Sequence, residues 1–319
     1  MNDTPISKVL VLEDDATCAN LVKHFCEENN LVAVKVGKRP LMSVLRTNID
    51  LGGIFVSERY GGSERDAARI AAEIHAARPE LPIFLRREAG ATLADLPEEL
   101  KHVFCCAYTA NDLGALRKAI REHIFCLVYP NALVRGISEL TDSVLKRQFP
   151  DLTIAMDAPY IVGDRMIFGE LFSLIQLESD WCRGYMMLQS EEDPLLDFIA
   201  RTRASRTTPS FRGVNDLLGE TTNLIWGAFK NRYIGDRRAN ALRQPVQVPL
   251  LVNHKHKYVS FGTDNPQLCF RFTLTDTETG DSLTLYERFV FNLDWSPDEF
   301  HEIAQDPSGA SDAGELELF

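Results

Sequence analysis

Apolar positions recur along residues 1–126 at two alternating periods. Short runs rich in β-branched and leucine residues, Lys8–Glu13, Gly53–Ser57, Leu81–Leu85 and Val103–Ala107, alternate with helical spacing that opens at Asp14-Asp15-Ala16 and returns at Asp66–Ala77 and about Asp112–Ile124. Strands alternating with helices predict a parallel sheet with crossover helices. Tyr129-Pro130-Asn131 ends the last of these helices, because proline lacks an N–H and restricts the residue before it. Beyond it the pattern changes. A helix over 133–149 is followed by strand-like runs at Leu152–Ala155, Ile167–Gln176 and Trp181–Gln189, a helix near Pro194–Thr202 and a loop through Arg203–Arg212. Then come a helix over VNDLLGETTNLIWGAFKNRY and strands near Val246–Val252, Gln267–Thr275 and Ser282–Val290, with a turn at Asp276–Gly280. Strands in runs with helices interspersed predict an α+β domain whose sheet is mostly antiparallel.

The helix in VNDLLGETTNLIWGAFKNRY carries the most chemistry. Asp216, Glu220 and Asn223 follow one another at steps of four and three, which brings three side chains to one face of an α-helix. At about 100° per residue, Glu220, Asn223, Gly227 and Lys230 all fall within roughly 40° of Asp216. The opposite arc holds Leu217, Leu218, Leu224, Ile225, Ala228 and Phe229. The helix therefore has a side to bury and an outward strip of two acids, an amide, a glycine and a lysine. Carboxylates four apart repel by a few tenths of a kcal/mol on an isolated helix, and a mid-helix glycine costs about 1 kcal/mol against alanine. The missing side chain at Gly227 lets another backbone approach beside Glu220 and Asn223. On the residues alone, a docking or catalytic face and an ordinary solvated face both stay open.

Asp-x-x-x-Glu-x-x-Asn followed by x-x-x-Gly resembles the active-site helix of the CheC/CheX/FliY phosphatases of bacterial chemotaxis. Those enzymes remove the phosphoryl group from the aspartyl phosphate of CheY-type receivers. The family pattern also has a proline downstream, and Pro245 follows Asn223 with twenty-one residues between, one fewer than the usual count. A single such helix is more like CheX than CheC. The helix over 133–149 offers Glu139 and Asp142 at matching offsets but no Asn, and reads as a core helix with a wet face. The resemblance implies that Asn223 places the attacking water, that Glu220 accepts a hydrogen bond from the receiver's lysine, and that Asp216 orients the helix or supports Glu220. It also implies long helices packed on the antiparallel sheet, a possible pairing of two copies, and no metal or cofactor bound by this chain, because the substrate receiver supplies the Mg²⁺.

VLVLEDD at the start and PELPIFL later resemble a response-regulator receiver, a flavodoxin-like α/β fold, across residues 1–126. The acidic pair of that family is matched by Glu13 and Asp14. Ser57, at the end of IFVSE, stands where the phosphorylated aspartate is expected, and Glu58 points to the other side of the strand. Arg86-Arg87 follow the fourth strand in place of Thr or Ser, and Ala107-Tyr108-Thr109 replace the Lys-Pro expected after the fifth. The resemblance so implies a pseudo-receiver that takes no phosphate. Arg86 is either an exposed strand-end arginine or a guanidinium that reaches Glu13 or Asp14, fills the vacant metal position and holds one conformation.

Composition adds boundaries. With 319 residues and 45% hydrophobic content the chain is long enough for two domains, here 1–128 and 131–295. No run of about twenty apolar residues and no signal-peptide core are present, so a membrane span and export are not expected. Seven scattered cysteines without Cys-x-x-Cys point to reduced thiols in a cytoplasm, with neither zinc nor a disulfide framework. Of the net charge of −12, seven acids lie between Ser296 and Phe319 with no Lys or Arg, which reads as an acidic tail over 296–319, flexible after about Pro307. Nucleic-acid binding has no basic stretch behind it. His254 and His256 share one side if their segment is a strand, yet flanking lysines oppose a cation and a solvated strand edge is expected. Met186-Met187 reads as strand core or an oligomerisation surface. The reading that results is a CheX-like aspartyl-phosphate phosphatase behind a pseudo-receiver that serves docking or regulation. Its alternatives are a non-catalytic receiver-binding adaptor and a response regulator with a CheX-like output domain.

Overall fold

A computed structural model of the chain describes residues 4–36, 40–48, 50–163, 166–167, 170–201, 210–234, 250–253, 259–260 and 266–303. The first part alternates as β1 (Ser7–Leu12), α1 (Ala16–Glu28), β2 (Leu31–Lys35), α2 (Leu41–Thr47), β3 (Leu51–Ser57), α3 (Glu64–Ala77), β4 (Ile83–Arg87), α4 (Glu98–Lys101), β5 (Cys106–Thr109) and α5 (Gly114–His123). Its strands pair in parallel in the order β2-β1-β3-β4-β5, the doubly wound 2-1-3-4-5 arrangement. Alternation along the strands sends Leu10, Leu12, Ile54, Val56, Ile83 and Leu85 to the core shared with α2 and α3. Val9, Val11, Phe55 and Phe84 go to the core shared with α1 and α5. Burial on both faces is why these strands read as unbroken apolar runs. The Asp15 and Ser63 side chains cap α1 and α3.

The second part runs α6 (Asn131–Gln148), β6 (Leu152–Met156), β7 (Tyr160–Val162), β8 (Met166–Ile167), β9 (Leu171–Glu178), β10 (Cys182–Ser190), α7 (Glu192–Arg201), α8 (Phe211–Phe229) with a π-helical turn (Lys230–Ile234), β11 (Leu250–Asn253), β12 (Val259–Ser260), β13 (Gln267–Asp276) and β14 (Ser282–Trp295). The large sheet is antiparallel throughout, in the order β11-β9-β10-β14-β13-β6, with β7 on the other end of the β13 edge. α6, α7 and α8 cover one face, where Ile175, Met186, Phe270, Phe272 and Phe289 meet Leu133, Ile137, Phe198, Leu218 and Ile225. At the end of α8, Tyr233 is wedged so closely against α6 that a Cβ on Gly136 would overlap its hydroxyl. Trp181 Nε1 donates to the Tyr233 carbonyl at 3.3 Å, and rings of Phe229 and Phe300 complete an aromatic cluster there.

Several elements depart from the sequence expectation. β2 is an edge strand with one fully buried residue, and α4 buries none, so neither carries an apolar period. The fifth strand starts later than Val103 because Val103 closes the turn after α4, its N–H donating to the Leu100 carbonyl at 3.1 Å. Arg86-Arg87 lie within β4 and Ala107-Tyr108-Thr109 within β5, not after them. Residues 296–303, the first part of the acidic tail, pack back on the domain. The Phe300 ring sits 5.1 Å from that of Trp181, and the Ile303 N–H donates to the Arg232 carbonyl at 2.9 Å. One aromatic with a site in the cluster outweighs a polar composition. Residues 304–319 lie outside the described residues.

The two sheets meet through the backbone. The Ile6 N–H donates to the Pro159 carbonyl at 2.9 Å and the Ile161 N–H to the Ile6 carbonyl at 2.8 Å. Ser7 Oγ donates to the Ile161 carbonyl at 2.9 Å, and a Cβ on Gly52 would overlap that hydroxyl.

Under α6, Glu287 has its carboxyl wholly buried with Thr141 Oγ1 at 3.1 and 3.2 Å. Burial pushes its pKa up to about 8, against a smaller pull downward from the Thr141 hydrogen bond. A raised folded-state value means that the neutral acid favours the fold. Its contribution is full below about 4.5 and is lost as the pH rises through about 8. The wild-type protein is expected to lose roughly a few kcal/mol of stability across that window, and Glu287→Gln to flatten the loss. Urea unfolding at a series of pH values checks it, and an unchanged slope in the variant would refute it.

Candidate functional site

α8 opens at Ser210, whose hydroxyl accepts from the Gly213 N–H at 3.1 Å. Val214, Leu218, Thr222, Ile225 and Phe229 are buried, and Thr221 and Thr222 return their hydroxyls to the carbonyls of Leu217 and Leu218 at 2.7 Å each. Thr221 Oγ1 also lies 2.9 Å from Gln148 Oε1 of α6. What remains on the outer side is the strip expected from the sequence. Asp216, Glu220 and Asn223 are exposed, and Gly227 and Lys230 are half-buried. Among the described residues none forms a hydrogen bond or ion pair with the side chains of Asp216, Glu220 or Asn223, so Asp216 does not hold Glu220 by a direct bond. A Cβ added to Gly227 would meet nothing within 4 Å among the described residues.

The neighbouring face of α6 is already paired. Asp142 Oδ2 accepts from Lys146 Nζ at 2.7 Å, and Glu139 Oε2 accepts from Arg232 Nη1 at 3.0 Å. Arg232 also reaches Glu302 at 3.5 Å, so the π-turn after the strip is tied to both α6 and the 296–303 segment. π-helical turns inside or after α-helices frequently mark functional sites. Sequence reading missed this Arg232 anchor, since nothing local links residues so far apart in the chain. Pro245, His254 and His256 lie outside the described residues.

The second cluster sits at the carboxyl ends of the parallel strands, where open α/β sheets bind ligands. Arg86 stands beside Ser57 in the β3–β4 register. Its Nε donates to Glu13 Oε2, and its Nη2 donates to Glu13 Oε1 at 3.2 Å and Ser57 Oγ at 2.8 Å. Burial pulls the guanidinium's pKa down, but the hydrogen bond and charge of Glu13 leave it raised overall, so Arg86 stays charged. Asp14 is apart from this pair, and its Oδ2 accepts from the Gly61 N–H at 2.9 Å. Asp15 caps α1 through the Cys18 N–H, which lowers its pKa.

No family model matches the chain, and neither does any curated protein. Solved structures resemble about half of the chain at low identity. The chain is similar to a CheX chemotaxis protein of Desulfovibrio desulfuricans (14% identity, covering 49% of this chain and 97% of that one, TM-score 0.35). It is similar to a CheC-like chemotactic protein of Shewanella oneidensis MR-1 (18% identity, 50% and 96% covered, TM-score 0.34). A third likeness is to the CheX–CheY–BeF₃–Mg²⁺ complex of Borrelia burgdorferi (11% identity, 49% and 96% covered, TM-score 0.28). At such scores the functional reading rests on the chain's own residues. Among the described residues no group of three or more His, Cys, Asp or Glu could hold a metal ion, and no helix is long and apolar enough to cross a membrane.

Because the space beside Gly227 is open, Gly227→Ala is expected to stabilise the protein by about 0.5–1 kcal/mol, read as a higher urea midpoint. A lowered midpoint would mean that the folded chain itself already uses that space.

Proposed function

We propose that this chain is a phosphatase for the aspartyl phosphate of a CheY-type receiver on another protein. The observation behind it is that Glu220 and Asn223 project from one helix face, exposed and without internal partners among the described residues, beside the open space at Gly227. An ordinary solvated face has no use for a mid-helix glycine that lowers helix stability. A face that must approach another protein's backbone does.

Hydrolysis of an acyl phosphate is a displacement at phosphorus. Water attacks in line, the bond from phosphorus to the aspartyl oxygen breaks, the carboxylate leaves with the electron pair, and the water's proton ends on the phosphate released. The receiver brings its own divalent cation and lysine to hold the phosphoryl oxygens. This chain then has two tasks. Asn223 positions the attacking water through its side-chain amide, which removes orientational freedom from the step. Glu220 accepts a charge-assisted hydrogen bond from the receiver's lysine, formed only in the complex. Asp216, one turn earlier, contributes charge to the docking face rather than a bond to Glu220. Gly227 and Lys230 extend that face toward the π-turn, whose Arg232 pairs keep the end of the strip in place. The parallel domain serves docking or placement of α8.

The test follows the decay of phosphorylated CheY-type receivers with Mg²⁺ in the presence of wild type, Glu220→Ala or Asn223→Ala. Wild type should accelerate the decay of one receiver, and each variant should lose roughly 10²-fold of that acceleration while keeping the wild-type melting temperature. A receiver that binds without faster decay would replace this reading with a non-catalytic adaptor.

A further inference from the structure

The carboxyl-end crevice of the parallel sheet, which the phosphatase reading does not use, holds a cation of its own. A receiver-like site takes a divalent ion on oxygen ligands from the acidic pair and the third strand, and such ions need several free carboxylate or carbonyl oxygens. The residues present do not fit that ion. Both oxygens of Glu13 are engaged, Oε2 by Arg86 Nε and Oε1 by Arg86 Nη2 and the Asp15 N–H. The third strand offers Ser57, whose hydroxyl also accepts from Arg86. The side chains of Arg86 and Glu13 are 6% and 4% exposed, so the pair is sealed from solvent. A bidentate, planar guanidinium that stays charged is the one side chain that can supply a permanent positive charge in such a place.

Its neighbour closes the other side. Strand alternation sends Arg87 away from Arg86, and Arg87 Nε donates to Glu58 Oε2 at 3.0 Å, while Nη1 donates to the Thr92 carbonyl at 2.8 Å and to Asp95. The other Glu58 oxygen accepts from the Glu88 N–H at 2.6 Å. Glu58, the alternative acid beside Ser57, is thereby also taken. Two adjacent arginines at the end of β4 bind the loops that follow β1, β3 and β4 to one another.

We infer that Arg86 takes the place of the divalent cation in this domain, and that with Arg87 it holds the three loops in a single arrangement closed to Mg²⁺ and to phosphoryl transfer. The domain is a fixed surface, not a switch. This inference is independent of the phosphatase reading, because it concerns the opposite end of the chain and a different readout.

The test uses the full chain. Melting temperature is recorded with and without millimolar Mg²⁺, and intact mass after incubation with acetyl phosphate and Mg²⁺, for wild type, Arg86→Thr and the Ser57→Asp/Arg86→Thr double variant. Wild type should show neither a shift nor an added phosphoryl group. The double variant, with Glu13 released beside Asp14 and a new third-strand acid, should gain a Mg²⁺-dependent rise of about 2–4 °C. A Mg²⁺ shift or a phosphoryl adduct on wild type overturns the inference, whether or not the variants fold. A folded double variant that ignores Mg²⁺ overturns the assignment of Arg86 as the group that closes the site.

Discussion

Burial of one side of α8 is the constraint on which the rest of this structure depends. The helix is pressed on the antiparallel sheet by Val214, Leu218, Ile225 and Phe229, and flanked by α6 and α7. Once that side is committed, its rotation about its own axis is fixed, and so is the direction in which Asp216, Glu220 and Asn223 point. Its far end cannot turn either. Tyr233 fills the space left by Gly136, and Trp181 donates to the Tyr233 carbonyl. A strip of polar side chains on a rigid helix is held more closely than one on a loop. The chemistry outside is thus set by the packing inside.

Three buried ionisable groups meet the same difficulty in different ways. Arg86 is paired with Glu13 on two nitrogens. Glu287 has no cationic partner among the described residues, and burial raises its pKa to about 8. Arg288 cannot follow it, since a guanidinium does not lose its proton. It is 1% exposed, donates to Gln267 Oε1 at 3.3 Å, and has no carboxylate partner among the described residues. Glu287 and Arg288 are adjacent in sequence, yet alternation along β14 puts them on opposite faces of the sheet, so neither can neutralise the other.

What the sequence made legible was whatever is local and periodic. The strip on α8 could be placed because steps of three and four on one helix need no knowledge of the fold, and the parallel strands could be placed because burial on both faces leaves unbroken apolar runs. Elements whose stability comes from elsewhere gave no such signal. β2 sits at a sheet edge with little to bury, and the three residues of β7 are strand only because β13 and Ile6 pair with them. The 296–303 segment reads as polar until the cluster around Trp181 supplies a place for Phe300. Long-range pairs were legible only where chemistry restricted the choice. Arg86 had two acids within reach and took Glu13, while Arg232 and Glu139, distant in sequence and ordinary in type, carried no hint of each other.

The junction between the sheets bears on what the N-terminal domain can do. β1 leads from that junction to the Arg86 cluster. Its first residue, Ser7, donates to the Ile161 carbonyl, and the residue after its last, Glu13, is gripped by Arg86. The strand between them spans only about 20 Å and is buried along nearly its whole length. For a signal to pass along that path some element must have two arrangements that both ends can bias. The backbone bonds at Ile6 and Ile161 and the close fit of Gly52 on Ser7 fix one end. The two arginines fix the other. A rigid strand between two fixed ends transmits position and not change, so β1 holds the Arg86 cluster and the sheet junction in one fixed relation.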